Sequence, residues 1–215
     1  MTYEEIQKLV EKYENEDLGS TISWYGSSTQ YDDLSARVNY SMIREFKPKK
    51  VLEFGSRTGR CTHDILKALM KNGGKYVFKS YEIDKDLRAW AQENVNKELG
   101  EGLIKIGGDV TKAEDIPDGL DYVFIDNSHD TKTTEWVFEV LLKKCRPGAI
   151  VHFHDLYIKD DMTFVFEGDV SEMEVMEKLI KKGNFPLERL FFYYEVSKEN
   201  TGPITSAWFT YKPLK

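Results

Sequence analysis

Residues 51–62 read Val51-Leu52-Glu53-Phe54-Gly55-Ser56-Arg57-Thr58-Gly59-Arg60-Cys61-Thr62. The first four residues form a short, mostly apolar run that ends at a glycine, which is typical of a buried β-strand. Gly55 and Gly59 bracket a tight turn, and apolar residues recur behind it at helical spacing as far as Asn72. The stretch therefore predicts a strand, a glycine loop and a helix, the usual start of a nucleotide-type cofactor site.

The residues of the loop exclude a dinucleotide cofactor. A dinucleotide fingerprint needs glycine at the first, third and sixth loop positions, so that the backbone can approach a pyrophosphate. Counted from Gly55, the third position is Arg57 and the sixth is Arg60. Glu53 would also repel a diphosphate. A carboxylate here suits a cofactor with a positive end, and S-adenosylmethionine carries an ammonium and a sulfonium but no phosphate.

The segment from Glu53 to Gly59 resembles motif I of the class I S-adenosylmethionine-dependent methyltransferases, acidic-x-Gly-x-Gly-x-Gly, with Arg57 in place of the middle glycine. The resemblance implies an α/β, Rossmann-like fold. Its sheet would have seven mostly parallel strands, a terminal antiparallel strand, and helices on both faces. It also implies that Glu53, Gly55, Ser56 and Gly59 bind the cofactor.

Length, charge and cysteine content narrow the function classes. The chain has 215 residues, 40% hydrophobic and 31% charged, and a net charge of −7. The negative charge argues against broad nucleic-acid binding, and no apolar run is long enough to span a membrane. Two cysteines and the lack of an apolar signal region predict a cytoplasmic protein. The sequence is compatible with both a monomer and a homo-oligomer.

Two parts of the chain have different predicted roles. Residues 49–215 carry the alternation of strands and helices and are predicted to form the cofactor-binding methyltransferase domain. Residues 1–48 contain two amphipathic helices and are predicted to cap the acceptor side of that domain. Trp24, Tyr25 and Tyr31, between the two helices, could line the acceptor pocket or simply pack on the sheet.

Acidic residues follow five predicted parallel strands, and the third of these strands spans Leu103–Ile106. The five acids are Glu53, Glu82, Asp109, Asp126 and Asp155. Ligands of open parallel sheets bind outside the carboxyl ends of the strands. Glu82, or failing it Asp84, is placed to bind the ribose hydroxyls of an adenosine. By the same resemblance Asp109 would lie beside the adenine, although it could instead cap a turn, and Asp126 would also contact the cofactor.

The segments Asp121–Asp130 and Arg146–Asp155 resemble small-molecule methyltransferases of the macrolide-sugar and cephalosporin-hydroxylase subgroup, and also catechol-type O-methyltransferases. The resemblance implies that Asp126, His154 and Asp155 hold a divalent cation, Mg²⁺ or Mn²⁺. Imidazole disfavours magnesium. Asp126 and His129 would be catalytic, with His129 as the general base. His152 is predicted to be structural.

The sequence therefore predicts an S-adenosylmethionine-dependent methyltransferase that acts on the hydroxyl of a small acceptor, with N-methylation left open. One alternative is a non-haem iron oxygenase that uses His129, His154 and Asp155. Another is a cofactor-binding module without catalysis, in which Arg57 is a sign of decay.

Overall fold

The computed structural model describes residues 2–18, 20, 22, 33–128, 130–154, 171–196 and 203–214. Within them the α-helices are α1 (Tyr3–Tyr13), α2 (Asp33–Phe46), α3 (Arg60–Asn72), α4 (Lys85–Leu99), α5 (Thr131–Trp136) and α6 (Ser171–Lys181). Helix α5 continues as a π-helical turn, Val137–Leu141, and a 3₁₀ turn, Leu142–Lys144. A second 3₁₀ turn covers Val110–Lys112.

The same residues form one six-stranded sheet. Its strands are β1 (Lys50–Phe54), β2 (Val77–Tyr81), β3 (Leu120–Ile125), β4 (Cys145–His154), β5 (Leu187–Val196) and β6 (Pro203–Tyr211). Their spatial order is β2-β1-β3-β4-β6-β5. Strands β1 to β4 pair in parallel, whereas β6 is antiparallel to both β4 and β5. The mostly parallel α/β sheet with its antiparallel end confirms the predicted fold class.

Apolar side chains pack on both faces of the sheet. On one face α1, α2 and α3 share a core with sheet residues, including Val51, Tyr122 and Trp208. On the other face the α5 region and α6 pack against residues such as Leu52, Val123 and Val151. Adjacent residues of β1 thus enter opposite cores, as expected for a strand that is buried on both sides. Helix α2 contacts the sheet through Asn39 and Tyr122, and α1 packs against α2. A role of these helices over the acceptor stays a prediction.

The segment Leu103–Ile106, predicted as the third of seven strands, does not form a strand. The described residues therefore form six strands, and the predicted number of seven is wrong. Only an isolated parallel bridge between Tyr81 and Gly107 remains. The side-chain amide of Gln92 in α4 provides a reason, because it binds the backbone of this segment on one side. It donates to the carbonyl of Ile104 at 2.9 Å and accepts from the N–H of Ile106 at 2.9 Å. These contacts hold the segment against α4 rather than along β2.

The order of the strands creates a switch point between β1 and β3. From β1 the chain crosses through α3 to β2 on one side, and it reaches β3 on the other side. Ligands of open α/β sheets bind outside the carboxyl ends of strands at such a point. The fold therefore places the loop after Phe54 and the segment after Ile125 at the expected cofactor position.

Candidate active site

The glycine loop between β1 and α3 requires its two outer glycines. Gly55 has φ = 97°, and a Cβ atom there would lie 1.8 Å from the backbone oxygen of Asp126. Gly59 has φ = 90°, and its Cβ would lie 2.9 Å from the backbone oxygen of Ala91 in α4. Both positions thus combine a left-handed backbone with close contact to another segment. The loop is drawn against the end of β3 and against α4.

Arg57 occupies the place of the motif's middle glycine and adopts a glycine-like conformation. Its φ is 46°, a left-handed value that non-glycine residues rarely adopt. Its backbone N–H donates a 2.8 Å hydrogen bond to Oε2 of Glu82. The substitution therefore preserves the shape of the loop, which argues against Arg57 as a sign of decay.

Glu82 lies at the end of β2 beside the glycine loop. Its side chain is 8% exposed, and Oε1 accepts a 3.0 Å hydrogen bond from the backbone N–H of Asp84. Asp84, the other candidate for the ribose, instead caps α4 by accepting from the N–H groups of Asp86 and Leu87, both at 2.9 Å. The geometry favours Glu82, because only Glu82 contacts the loop.

Glu53 is fully buried behind the loop. Its Oε2 accepts hydrogen bonds from the hydroxyls of Thr62 and Ser80. Burial raises the pKa of Glu53 to about 8, although these hydrogen bonds act in the opposite direction. Near pH 7 much of this carboxyl group is therefore neutral until a positive charge approaches it.

Several buried polar atoms around the loop have no hydrogen-bond partner within the described part of the chain. They are Oε1 of Glu53, Oγ of Ser56 and Oγ1 of Thr58. Buried polar groups are normally paired, and an unpaired one costs roughly 1–3 kcal/mol. Three such atoms within six residues fit a polar ligand at this loop.

Asp109 follows two glycines, Gly107 and Gly108, that come directly after the segment predicted as the third strand. It caps the 3₁₀ turn by accepting from the N–H of Thr111 at 3.0 Å, and it forms a 2.8 Å ion pair with Lys112. The ammonium of Lys112, followed by Thr111, lowers the pKa of Asp109. The capping role that the sequence left open is thus present, and contact with adenine stays a prediction.

A polar row crosses three strands at the carboxyl edge of the sheet. Asp126 follows β3, and its Oδ1 lies 3.6 Å from Nδ1 of His154, the last residue of β4. His154 pairs across the antiparallel ladder with Ser206 of β6. The side chains of His154 and Ser206 are buried, whereas Asp126 is 16% exposed. His129 and Asp155, predicted as the base and as a metal ligand, lie outside the described residues.

His152 lies one row deeper and has a packing role. Its ring stacks on Trp208 with centroids 4.0 Å apart and meets the edge of Phe124 at 4.8 Å. Burial, reinforced by His154, lowers the pKa of His152 well below its usual value. A neutral ring between two aromatic side chains agrees with the structural role predicted for it.

The described residues alone do not complete a metal site, since they contain no group of three or more suitable side chains. Asp126 and His154 provide two donor atoms 3.6 Å apart. This separation is compatible with one ion bound at about 2.1 Å from each atom. The third predicted ligand, Asp155, follows His154 directly in the chain.

Sequence reasoning missed two residues at this edge. Ile83, beside Glu82, is 71% exposed, although an isoleucine is usually buried. Its position directly after Glu82, the acid at the end of β2, could have indicated that it lies at this edge. Ser206 reaches the site only through the pairing of β4 with β6. Its sequence position gave no indication, because the register of an antiparallel pair depends on distant residues.

Comparisons with known proteins agree with this geometry. A family model described as a methyltransferase domain matches residues 52–156, from β1 past the end of β4. Residues 52–156 therefore form a methyltransferase domain. This result favours the predicted enzyme over the iron oxygenase and the non-catalytic module. None of the curated proteins matches the chain.

Solved structures show that the methyltransferase has the class I fold. An O-methyltransferase from Bacillus cereus in complex with SAH is 16% identical, with a TM-score of 0.66 over 97% of this chain and 90% of that one. TomG from Streptomyces achromogenes, an O-methyltransferase involved in tomaymycin synthesis, in complex with SAM, is 15% identical. Its TM-score is 0.63 over 99% and 91% of the two chains. In the described part of the methyltransferase, no helix is long and apolar enough to cross a membrane.

Proposed function

We propose that this methyltransferase methylates a hydroxyl oxygen of a small acceptor. The observation that carries the proposal is the meeting of the glycine loop, Glu82 and Asp126 at the switch point of the sheet. The structural neighbours named O-methyltransferases support oxygen as the target. The polar row of Asp126, His154 and Ser206 beside the loop offers hydrogen-bonding groups to a hydroxylated molecule.

The donor supplies a methyl group on a positively charged sulfur. The protein must bind the donor, orient the acceptor and remove the acceptor's proton. Gly55 and Gly59 let the backbone approach the donor, and the carboxylate of Glu82 accepts from its ribose hydroxyls. Glu53 lies behind the loop, where a nearby positive charge would stabilise its ionised form. Alignment of donor and acceptor is the main contribution that such a site makes to the rate.

We assign removal of the acceptor proton to His129, which follows Asp126 by three positions in the sequence. A neutral imidazole suits proton abstraction near pH 7. We also propose that Asp126, His154 and Asp155 bind a divalent cation, which would favour the ionised acceptor. The 3.6 Å separation of Asp126 and His154 supports this set, and the imidazole favours manganese over magnesium.

Titration calorimetry with S-adenosylmethionine tests the cofactor assignment. Glu82→Gln should weaken binding at least about tenfold, because the ribose loses a charged acceptor. Asp84→Asn is the matched control, since asparagine also caps helices and this variant should bind like the wild type. Equal affinity of all three proteins would contradict the role of Glu82.

Release of S-adenosylhomocysteine over a panel of small molecules tests the target atom. Hydroxylated acceptors should give turnover that amine analogues do not. Turnover with amines alone would replace the proposal with N-methylation.

Removal of bound metal with a chelator, followed by Mn²⁺ or Mg²⁺, should abolish and then restore activity. Unchanged rates would contradict the proposed metal role without affecting the proposal of methyl transfer.

The acceptor-side role of residues 1–48 and the cytoplasmic location are also proposals. The core that α1 and α2 share with residues of the sheet supports the first. The second is supported by Cys61 and Cys145, which are both buried and form no disulfide with each other.

A further inference from the structure

A second cavity lies at the outer edge of the sheet, where the predicted third strand is absent. It encloses about 440 Å³ between β2 and the segment before Gly108. On the N-terminal side of the bridge between Tyr81 and Gly107 the two segments do not pair. We call this space the edge groove; its lining includes Lys79, Ser80, Arg88, Lys105 and Asp115. Gly55, Glu82 and Asp126 do not line it in the described structure.

The edge groove is closely packed at Gly107 and Gly108. A Cβ on Gly107 would lie 2.5 Å from the ring of Tyr81, and one on Gly108 would lie 2.9 Å from the guanidinium of Arg88. Arg88 is held in turn by a 3.0 Å hydrogen bond to the backbone oxygen of Glu82. Two residues without side chains thus leave room beside a positioned guanidinium, which favours anions.

The charge of the edge groove is opposite to that of the whole chain. Lys79, Arg88 and Lys105 carry three positive charges, and Asp115 carries one negative charge, which leaves +2. The chain as a whole carries −7. Asp115 is already engaged by Lys79 at 2.5 Å and by the hydroxyl of Tyr81 at 2.8 Å. Arg88 and Lys105 therefore supply the excess charge, and a phosphate group, which is dianionic near neutral pH, would balance it.

We propose that the edge groove binds a phosphate group, either free or carried on a small organic molecule. Arg88 would hold it beside Gly108, and Lys105 would contact it from the exposed side. Arginine suits such a role because its planar guanidinium donates to two phosphate oxygens at once. The site is separate from the methyl-transfer edge, and its occupation does not depend on the acceptor.

Calorimetry with inorganic phosphate and with glycerol 3-phosphate tests the proposal on the full chain. One site should be seen, and the tighter of the two ligands identifies the free or the organic form. Lys105→Glu should weaken binding about twentyfold, since two unit charges change at contact distance in water. Lys97→Glu makes the same change on an exposed residue of α4 outside the groove and should bind within about twofold of the wild type.

Three results would overturn the proposal. The first is no binding of either ligand, and the second is an equal loss in both variants, which would indicate attraction to overall charge. The third is displacement of the phosphate by saturating S-adenosylhomocysteine, which would place it in the cofactor site. Lys105 is exposed, so its variant should fold, and circular dichroism provides the check.

Discussion

The backbone N–H of Arg57 donates a 2.8 Å hydrogen bond to Oε2 of Glu82, and this contact joins the cofactor loop to the end of β2. Arg57 makes it from a left-handed backbone conformation, with φ = 46°. A Cβ atom in that conformation costs roughly 1–2 kcal/mol. The loop therefore keeps the geometry of its family at a position where glycine would be the less strained residue.

Replacing Arg57 should separate the effect of the backbone from that of the guanidinium. Arg57→Ala and Arg57→Gly both remove the charge, but only glycine relieves the strain. Glycine also increases the freedom of the unfolded chain, which offsets roughly 0.5–1 kcal/mol. We expect the glycine variant to be more stable than the alanine variant by about 0.5–1 kcal/mol in urea unfolding. An alanine variant of equal or greater stability would show that φ is not strained.

Gly55→Ala should be far more damaging than a glycine replacement elsewhere. A Cβ at position 55 would lie 1.8 Å from the backbone oxygen of Asp126, so β1 and β3 would have to separate. We expect a loss above about 3 kcal/mol, or no folded protein. Gly73→Ala is the control, because its φ is also positive, at 66°, but nothing lies within 4 Å. It should cost about 1–3 kcal/mol, since its ψ of −179° lies in a region that is almost restricted to glycine. Similar losses in both variants would refute the steric argument.

The sequence predicted those parts of the fold whose causes are local. The strand before Gly55, the loop and helix α3 follow from apolar spacing and two glycines that lie close together in the chain. The positions of Glu82 and Asp126 directly after β2 and β3 likewise follow from the sequence, because parallel strands bring their carboxyl ends to one edge, whereas the roles of these acids stay predictions.

What the sequence did not reveal depends on contacts between distant residues. The strand at Leu103–Ile106 is absent, and its backbone is instead bound by Gln92, which lies in another element. Ser206 reaches the site through its pairing with His154, which is 52 positions earlier in the printed sequence. The raised pKa of Glu53 arises from its burial, which outweighs the hydrogen bonds from Ser80 and Thr62, and no pattern in the strand indicates that burial.

Tyr122 connects helix α2 to the sheet and should contribute to the stability of the N-terminal helices. Its hydroxyl donates to Oδ1 of Asn39 in α2 at 2.5 Å and accepts from the indole N–H of Trp208 at 3.3 Å. All three side chains are buried. We expect Tyr122→Phe to lower the free energy of unfolding by about 2 kcal/mol, because Asn39 and Trp208 each lose a hydrogen bond to the Tyr122 hydroxyl.

Tyr76→Phe is the matched control for that prediction. Tyr76 is partly buried on the same side of the sheet, and burial alone raises its pKa. Its replacement should cost less than about 1 kcal/mol. Equal losses in the two variants, measured by urea unfolding, would indicate that the contact between Tyr122 and Asn39 is not stabilising.

Glu53 should make the free energy of unfolding depend on pH. Burial raises its pKa in the folded protein to about 8, above the ordinary value of 4.5. Between these values the folded chain retains a proton that the unfolded chain has released. Stability from this group is therefore greatest below about pH 4.5, falls as the pH rises, and levels off above about pH 8. The total change is at most about 5 kcal/mol, since each pKa unit corresponds to about 1.4 kcal/mol.

Unfolding in urea at several values between pH 5 and 9 measures this effect without cofactor. Glu53→Gln cannot titrate, so its stability should be close to that of the wild type near pH 5 and should exceed it by a few kcal/mol near pH 8. Leu52→Val, in the adjacent buried position, should lower stability by about 1 kcal/mol at every pH, because it removes only a methylene group. If the wild type and Glu53→Gln give parallel profiles, the carboxyl group of Glu53 is ionised throughout, and the neutral state assigned to it near pH 7 is wrong.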